Sequence, residues 1–155
     1  MKSRTLSKME LKFLNQDLFQ EYGIEPFHKK SMVKMVDGDD YSYIKVDDSV
    51  EFFYIEEELF PTLKNLLRDN FLKKITVDMG AVKFVASGAD IMRPGIVDIE
   101  EGINKDEVVS IIDINNKKPL AIGKVMYDTA DMRELKEGKC IQNIHYVGDK
   151  IWKLD

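Results

Sequence analysis

Apolar residues in this chain follow a helical rhythm at first and a strand-like rhythm later, and the change divides the sequence. Leu11, Leu14, Leu18 and Tyr22 recur at three- and four-residue spacing, which lines one face of an α-helix. Ser7 stands three residues ahead of Glu10, and Gly23 follows Tyr22; a capping box can open this helix and a left-handed glycine can close it. Pro26 and the pair Lys29-Lys30 read as a loop. Met32 to Val36, Tyr41 to Val46 and Val50 to Ile55 are short β-rich runs separated by Asp37-Gly38-Asp39-Asp40 and Asp47-Asp48-Ser49, the pattern of an antiparallel meander. Phe52, Phe53 and Tyr54 are consecutive, so they divide between two sheet faces and leave at least one ring at the surface. Glu56, Glu57 and Glu58 precede Pro61, where acids suit the positive end of a second helix with Leu63, Leu66 and Leu67 on its apolar face.

Beyond residue 73 the pattern is mostly strand: Lys74 to Val77, Asp90 to Ile99, Glu107 to Asp113, Leu120 to Tyr127, Cys140 to Val147 and Lys150 to Leu154. A short helix follows Asp78, with Val82, Val85 and Ala86 on its apolar face, Lys83 opposite and Gly88 at its C-terminal end; another spans Ala130 to Lys136 between a Thr129 cap and Gly138. The expected architecture is an α+β domain over residues 1–72 (helix, three-stranded antiparallel meander, helix), followed over residues 73–155 by a mostly β pseudo-barrel with two short helices.

Charge sharpens the division. The whole chain of 155 residues carries a net charge of −5, which argues against a protein that coats nucleic acid by charge alone. Residues 1–72 hold 10 basic and 14 acidic side chains, and residues 73–155 hold 13 and 14. Nucleic-acid binding therefore needs a local basic patch in the second half, whereas the acidic first half suits a protein partner or plain solubility. A hydrophobic share of 44% supports a real core. The absence of a long apolar stretch predicts a cytoplasmic protein with no membrane association.

Glycines and cations concentrate in GAVKFVASGADIMRPG, Gly80 to Gly95. Pro94 fixes φ and lacks an amide hydrogen, while Gly95 tolerates positive φ, so the pair turns the chain and leaves main chain open beside Arg93. A glycine-rich bend with nearby cations can admit a phosphate or base edge to the backbone; it can equally be a tight barrel corner without a ligand.

Catalytic and metal chemistry finds little footing. No phosphate-binding loop, dinucleotide fingerprint, nucleophile elbow or H-E-x-x-H occurs. Cys140 is the lone cysteine and His28 and His145 are the only histidines, too few for an ordinary zinc set. Cys140 and His145 read as core residues and His28 as a loop residue, so neither cofactor nor metal nor enzymatic activity is expected. Trp152 packs the closing strand or stacks on a base at the rim.

The glycine-rich segment, together with Pro119-Leu120-Ala121-Ile122-Gly123 and Ile144-His145-Tyr146-Val147-Gly148-Asp149-Lys150-Ile151-Trp152, resembles a PUA domain. With Pro61-Thr62-Leu63 on the linking helix and the α+β unit in front, the chain is similar to the malignant T-cell-amplified sequence family of translation factors and its archaeal relatives. The resemblance implies a pre-PUA domain followed by a PUA domain, a non-enzymatic RNA-binding role on the ribosome in translation initiation or recycling, and, in eukaryotes, pairing with density-regulated protein. On the reading of the residues themselves, Lys83 and Arg93 neutralise phosphates, Gly80, Gly88 and Gly95 permit close approach beside Pro94, and Ser87 and the backbone around Ala89 make hydrogen bonds, with Lys124 and Lys150 at the edge; the place of Arg93 is not basic in some relatives. The implied partners are ribosomal or transfer RNA and the small ribosomal subunit, with a protein partner on the acidic domain. An accessory RNA-binding subunit of an RNA-modification enzyme, or a protein adaptor, is the alternative. The acidic Asp98 to Glu101 segment sets a limit on any broad anion-binding surface.

Overall fold

The Ser7 hydroxyl accepts the Glu10 amide at 3.1 Å and the Glu10 carboxylate accepts the Ser7 amide at 3.1 Å. This reciprocal box starts α1 (Lys8–Tyr22), which stops at Gly23 with φ 73°. The computed structural model describes residues 2–154, which divide into two compact units, one up to Asn65 and the other Leu66–Leu154.

In the first unit, α1 buries Leu11, Leu14 and Leu18, and the strands form one antiparallel sheet of five, ordered β1-β2-β3-β4-β5. The expected meander is its centre: β2 (Val33–Asp37), β3 (Ser42–Val46) and β4 (Ser49–Ile55). It is one strand longer on each side, with β1 (Lys2–Thr5) against β2 and β5 (Glu58–Pro61) against β4. The glutamates accordingly do not start a helix. Glu56, with φ 57°, and Glu57 make the turn into β5, and Pro61 is tolerated because an edge strand needs no donor there. The second helix, α2 (Leu63–Arg68), spans the division between the units and follows Thr62, whose hydroxyl accepts the Asn65 amide at 3.2 Å and donates to Val50 O at 2.9 Å. Phe52 and Phe53 do point to opposite faces. Phe52 meets Phe27 edge-on at 6.1 Å and Phe53 stacks on Phe60 at 5.4 Å; both are buried, and Tyr54 is the ring of the three that reaches the surface in part.

The second unit is a mixed sheet of six strands ordered β7-β11-β10-β9-β6-β8. Its strands are β6 (Lys74–Val77), β7 (Ile91–Met92), β8 (Ile96–Ile99), β9 (Val108–Asp113), β10 (Pro119–Val125) and β11 (Lys139–Tyr146). The run expected as one strand from Asp90 to Ile99 is broken by a 3₁₀ turn at Arg93–Gly95. Its first part pairs with β11 and its second with β6, the inner neighbours of the two outermost positions. Three residues thus carry the chain from one edge of the sheet to the other, which is possible only if the sheet curls nearly closed. Ile75, Val77, Ile111, Ala121, Val125 and Ile141 are 0–1% exposed in the core it encloses.

Helices α3 (Met79–Val85) and α4 (Thr129–Glu134) complete this unit. Asp128 rather than Thr129 caps α4; the buried Thr129 hydroxyl instead donates to Glu100 O at 2.8 Å and accepts the Ile103 amide at 3.0 Å. The segment Lys150 to Leu154 is a helical turn, not a strand. The Asp149 carboxylate accepts the Trp152 amide at 2.9 Å, and Lys153 N donates back to Asp149 O at 3.2 Å. No helix among the described residues is long and apolar enough to cross a membrane.

We propose that the two units fold independently, with the boundary in the stretch from Leu66 to Lys73. Limited proteolysis of the full chain is expected to leave a stable fragment starting in that stretch; cleavage spread through both units, with no such fragment, rejects independent folding.

Candidate nucleic-acid interface

The glycine-rich segment folds as a helix and a turn that face one another. Asp78 Oδ1 accepts the Ala81 amide at 2.8 Å and caps α3, while the Asp78 amide donates to Gly95 O at 2.9 Å. One residue therefore fixes both the start of the helix and the far side of the bend. At the other end of α3, the Phe84 carbonyl accepts the Ser87 and Ala89 amides at 3.1 and 3.0 Å and the Ser87 hydroxyl at 2.8 Å. Gly88 has φ 94°, and a Cβ there would lie 2.7 Å from the Tyr146 ring; positive φ and close packing together require glycine. Asn143 on β11 clamps this loop, donating from Nδ2 to Val85 O at 3.1 Å and to Ala89 O at 3.0 Å.

Between α3, β7 and the 3₁₀ turn lies a groove of about 680 Å³. Gly80, Ala81, Phe84, Ala89, Ile91, Met92, Pro94 and Gly95 give it a largely apolar wall, with Asp78, Asp90 and Lys139 supplying charge. Phe84 is 58% and Met92 50% exposed, much as Phe13 and Phe19 are on the first unit; what sets these two apart is that both border one groove. Lys83 lies beside them, its Nζ 5.2 Å from the Phe84 ring centroid, within range of a cation–π contact. At the rim, Lys139 Nζ pairs with Asp90 Oδ2 at 2.9 Å. This hydrogen bond, followed by that from the Asn143 amide, outweighs desolvation and holds the Asp90 carboxyl below its ordinary range.

Of the residues singled out in the sequence, Gly80, Ala89, Pro94 and Gly95 line the groove. Lys83 is exposed next to it, and Ser87 and Gly88 belong to the adjoining loop. Arg93 is half-buried and partly committed: Nε donates to Met132 O at 2.8 Å and Nη1 to Ile96 O at 3.1 Å, so its guanidinium ties the bend to α4. Lys124 sits half-buried on β10 opposite Gln142, and Lys150 is exposed in the turn after β11; each has interactions of its own. Gly95 does not adopt positive φ. It is needed because a Cβ would come within 2.8 Å of Ala81 Cβ, where the bend touches α3. Ala86, expected on the apolar face, is exposed. Phe84, Met92, Asp90 and Lys139 are the residues that sequence reasoning missed; a phenylalanine adjacent to Lys83 and off the Val82–Val85 face was the available signal.

On the same sheet His145, 0% exposed, places Nδ1 at 3.0 and 2.8 Å from the two Asp149 carboxylate oxygens. Because a carboxylate only accepts, Nδ1 carries the hydrogen. Asp149 also accepts the Tyr146 amide at 3.0 Å. Burial alone would raise its carboxyl, but the bonds from His145, Trp152 and Tyr146 prevail and lower it.

The PUA domain family matches residues 73–147. Malignant T-cell-amplified sequence 1 of Rattus norvegicus is 33% identical over 151 residues, covering 90% of this chain and 83% of its own. The chain belongs to the malignant T-cell-amplified sequence family of PUA-domain proteins. Another relative, translation machinery-associated protein 20 of Saccharomyces cerevisiae, is 35% identical over 81% of this chain and 74% of its own. The crystal structure of a hypothetical protein from Pyrococcus horikoshii superposes with a TM-score of 0.84 at 32% identity, covering 98% of both chains, and that of a PUA domain from Aeropyrum pernix superposes with a TM-score of 0.85 at 27% identity, covering 99% of this chain and 90% of its own.

Two outcomes follow from the packing of this PUA unit. Gly95→Val is expected to destabilise it by about 1–3 kcal/mol through overpacking against Ala81, and the double variant with Ala81→Gly is expected to recover part of the loss in urea unfolding. A Gly95→Val protein as stable as the parent rejects this account. For Asp149 the lowered carboxyl adds stability that is present above about pH 4, the ordinary aspartate value, and disappears as pH falls through the folded-state value. Asp149→Asn is expected to lose about 1–3 kcal/mol at pH 7 and to show a shallower decline of unfolding free energy from pH 5 to pH 3; an unchanged acid limb contradicts it.

Proposed function

We propose that the chain is a non-enzymatic, cytoplasmic RNA-binding protein of the translation apparatus, acting in initiation or recycling on the small ribosomal subunit. Its PUA unit holds a structured RNA, ribosomal or transfer, in the groove between α3 and the Arg93–Gly95 turn. The observation that carries this proposal is an apolar trough with an exposed aromatic, Phe84, flanked by lysines 83 and 139. A nucleotide base needs a flat apolar surface on which to stack, and its phosphate needs a nearby cation and an accessible main chain. Gly80, Pro94 and Gly95 keep side chains out of the way, and the loop Ser87-Gly88-Ala89, its amides taken up by the Phe84 and Val85 carbonyls, gives the groove a fixed border. Lys83, exposed, is the principal phosphate partner; Arg93 acts by holding the bend, and Lys124 and Lys150 stand at the periphery. The translation assignment rests on kinship with a protein named for its association with that machinery.

Titration with transfer RNA and with small-subunit ribosomal RNA at several salt concentrations tests the site. Phe84→Ala is expected to weaken binding at least about fivefold, the lower end of one base stack, with the salt slope unchanged. Lys83→Ala is expected to reduce the slope by roughly one counterion. Cosedimentation with small ribosomal subunits should fall in parallel. Parental affinity and slope in both variants would place the RNA elsewhere.

A further inference from the structure

A second surface of comparable size lies in the first unit, on a domain whose net charge is negative. A groove of about 690 Å³ runs between α1 and the loop that follows it, lined by Lys8, Lys12, Gln16, Glu25, His28 and Lys29 among others. The loop is pinned to the helix by one side chain used twice: Asn15 Nδ2 donates to Phe27 O at 2.5 Å and Asn15 Oδ1 accepts the Phe27 amide at 3.1 Å. Phe27 and Leu11 are buried beneath it. The groove is thus a built feature with an apolar floor and a cationic rim.

Most acids of this unit lie outside the groove's lining; on α1 itself Asp17 lines a separate pocket and Glu21 is exposed further along the helix. Asp37, Asp39, Asp40, Asp47, Asp48, Glu56 and Glu57 sit in or beside the turns between strands, and Glu10 is taken up by Arg4. Glu25 is the acid that lines the groove. Among the described residues the ammonium groups of Lys8, Lys12 and Lys29 form no ion pair or hydrogen bond. Lys8 moreover stands at the first position of α1, where the helix dipole disfavours a cation; helix stability does not account for it there. His28 Nδ1 accepts the Lys30 amide at 3.2 Å, which leaves its ring hydrogen on Nε2 as an additional donor.

We infer that this groove binds the phosphate backbone of double-helical RNA, giving the protein a second RNA contact that is independent of the PUA groove. Lys8 and Lys12 are one helical step apart, about 6 Å along the axis, comparable to neighbouring phosphates on one strand. Lys29 approaches from the opposite wall, and Gln16 with His28 Nε2–H supplies neutral donors suited to phosphate oxygens and 2′-hydroxyls. No exposed phenylalanine, tyrosine, tryptophan or large aliphatic side chain lines this groove; its one exposed ring, His28, has its Nδ1 engaged by the Lys30 amide, so the groove lacks the broad apolar platform that stacks bases or enters a lipid surface. The inference draws on the proposed RNA-binding role but on different residues, and its test separates the two.

The probe is a blunt RNA duplex of about 16 base pairs, a length at which double-helical shape can be engaged without single-stranded ends. The full chain carrying Lys8→Gln, Lys12→Gln and Lys29→Gln is expected to bind it at least tenfold more weakly at low salt, with the slope of log affinity against log salt reduced by about two to three. The triple Lys→Arg variant should bind as the parent does, and circular dichroism should show all of them folded. Phe84→Ala should leave duplex binding intact. Parental affinity and slope in the triple Gln variant overturn the inference whatever Phe84→Ala does to transfer RNA. So does tighter binding of polyglutamate or of anionic phospholipid vesicles than of the duplex, if that binding is lost in the triple Gln variant.

Discussion

Three residues, Arg93–Gly95, join strands that occupy the two outer positions of a six-stranded sheet, and this short tether forces the PUA unit to curl until its edges meet. The closing contacts are explicit. Arg93 donates its amide to Gly138 O at 2.8 Å and its side chain to Met132 and Ile96 carbonyls, while Gly95 O accepts from Asp78. Each satisfies a main-chain group that the break in the ladder would otherwise leave bare. The bend must also press directly on α3, and the 2.8 Å that would separate a Gly95 Cβ from Ala81 measures how little space remains.

The groove is a by-product of that closure. Where the edges meet, the ladder is interrupted and no side chains fill the space between α3 and the turn, so Phe84 and Met92 stay exposed beside open main chain. The cations present are few and partly committed. Lys139 is shared with Asp90, Arg93 is occupied with carbonyls and Lys83 leans on an aromatic ring. Such a site gains more from stacking and shape than from charge, which fits an acidic protein whose attraction to polyanions has to be local.

Elements announced by local chemistry were legible in the sequence. The Ser7–Glu10 box, Gly23, the central meander and α3 with its left-handed Gly88 all depend on neighbours within a few positions. What failed depended on distant partners. The edge strands β1 and β5 are too short to show alternation, and Glu56–Glu57 looked like a helix start because nothing nearby revealed the pairing of β5 with β4. Arg93 illustrates the same limit at the site. An arginine beside Pro-Gly carries no local sign of Met132, far along the chain, whose carbonyl its guanidinium serves. Lys139 and Asp90 could not be associated at all without the β7–β11 register.

The two sheets differ in one further respect. The PUA sheet draws its outer strands together, whereas the first sheet ends in β1 and β5, each with a side that no strand covers among the described residues. An uncovered strand is a template on which another chain can add itself and aggregate. Here β1 is four residues long, exposed throughout, and carries Lys2 and Arg4, while β5 ends in Pro61, which has no amide hydrogen to offer. Short length, like charge and a missing donor make both margins poor seeds for association between copies, so the N-terminal unit can leave its sheet open without inviting fibres.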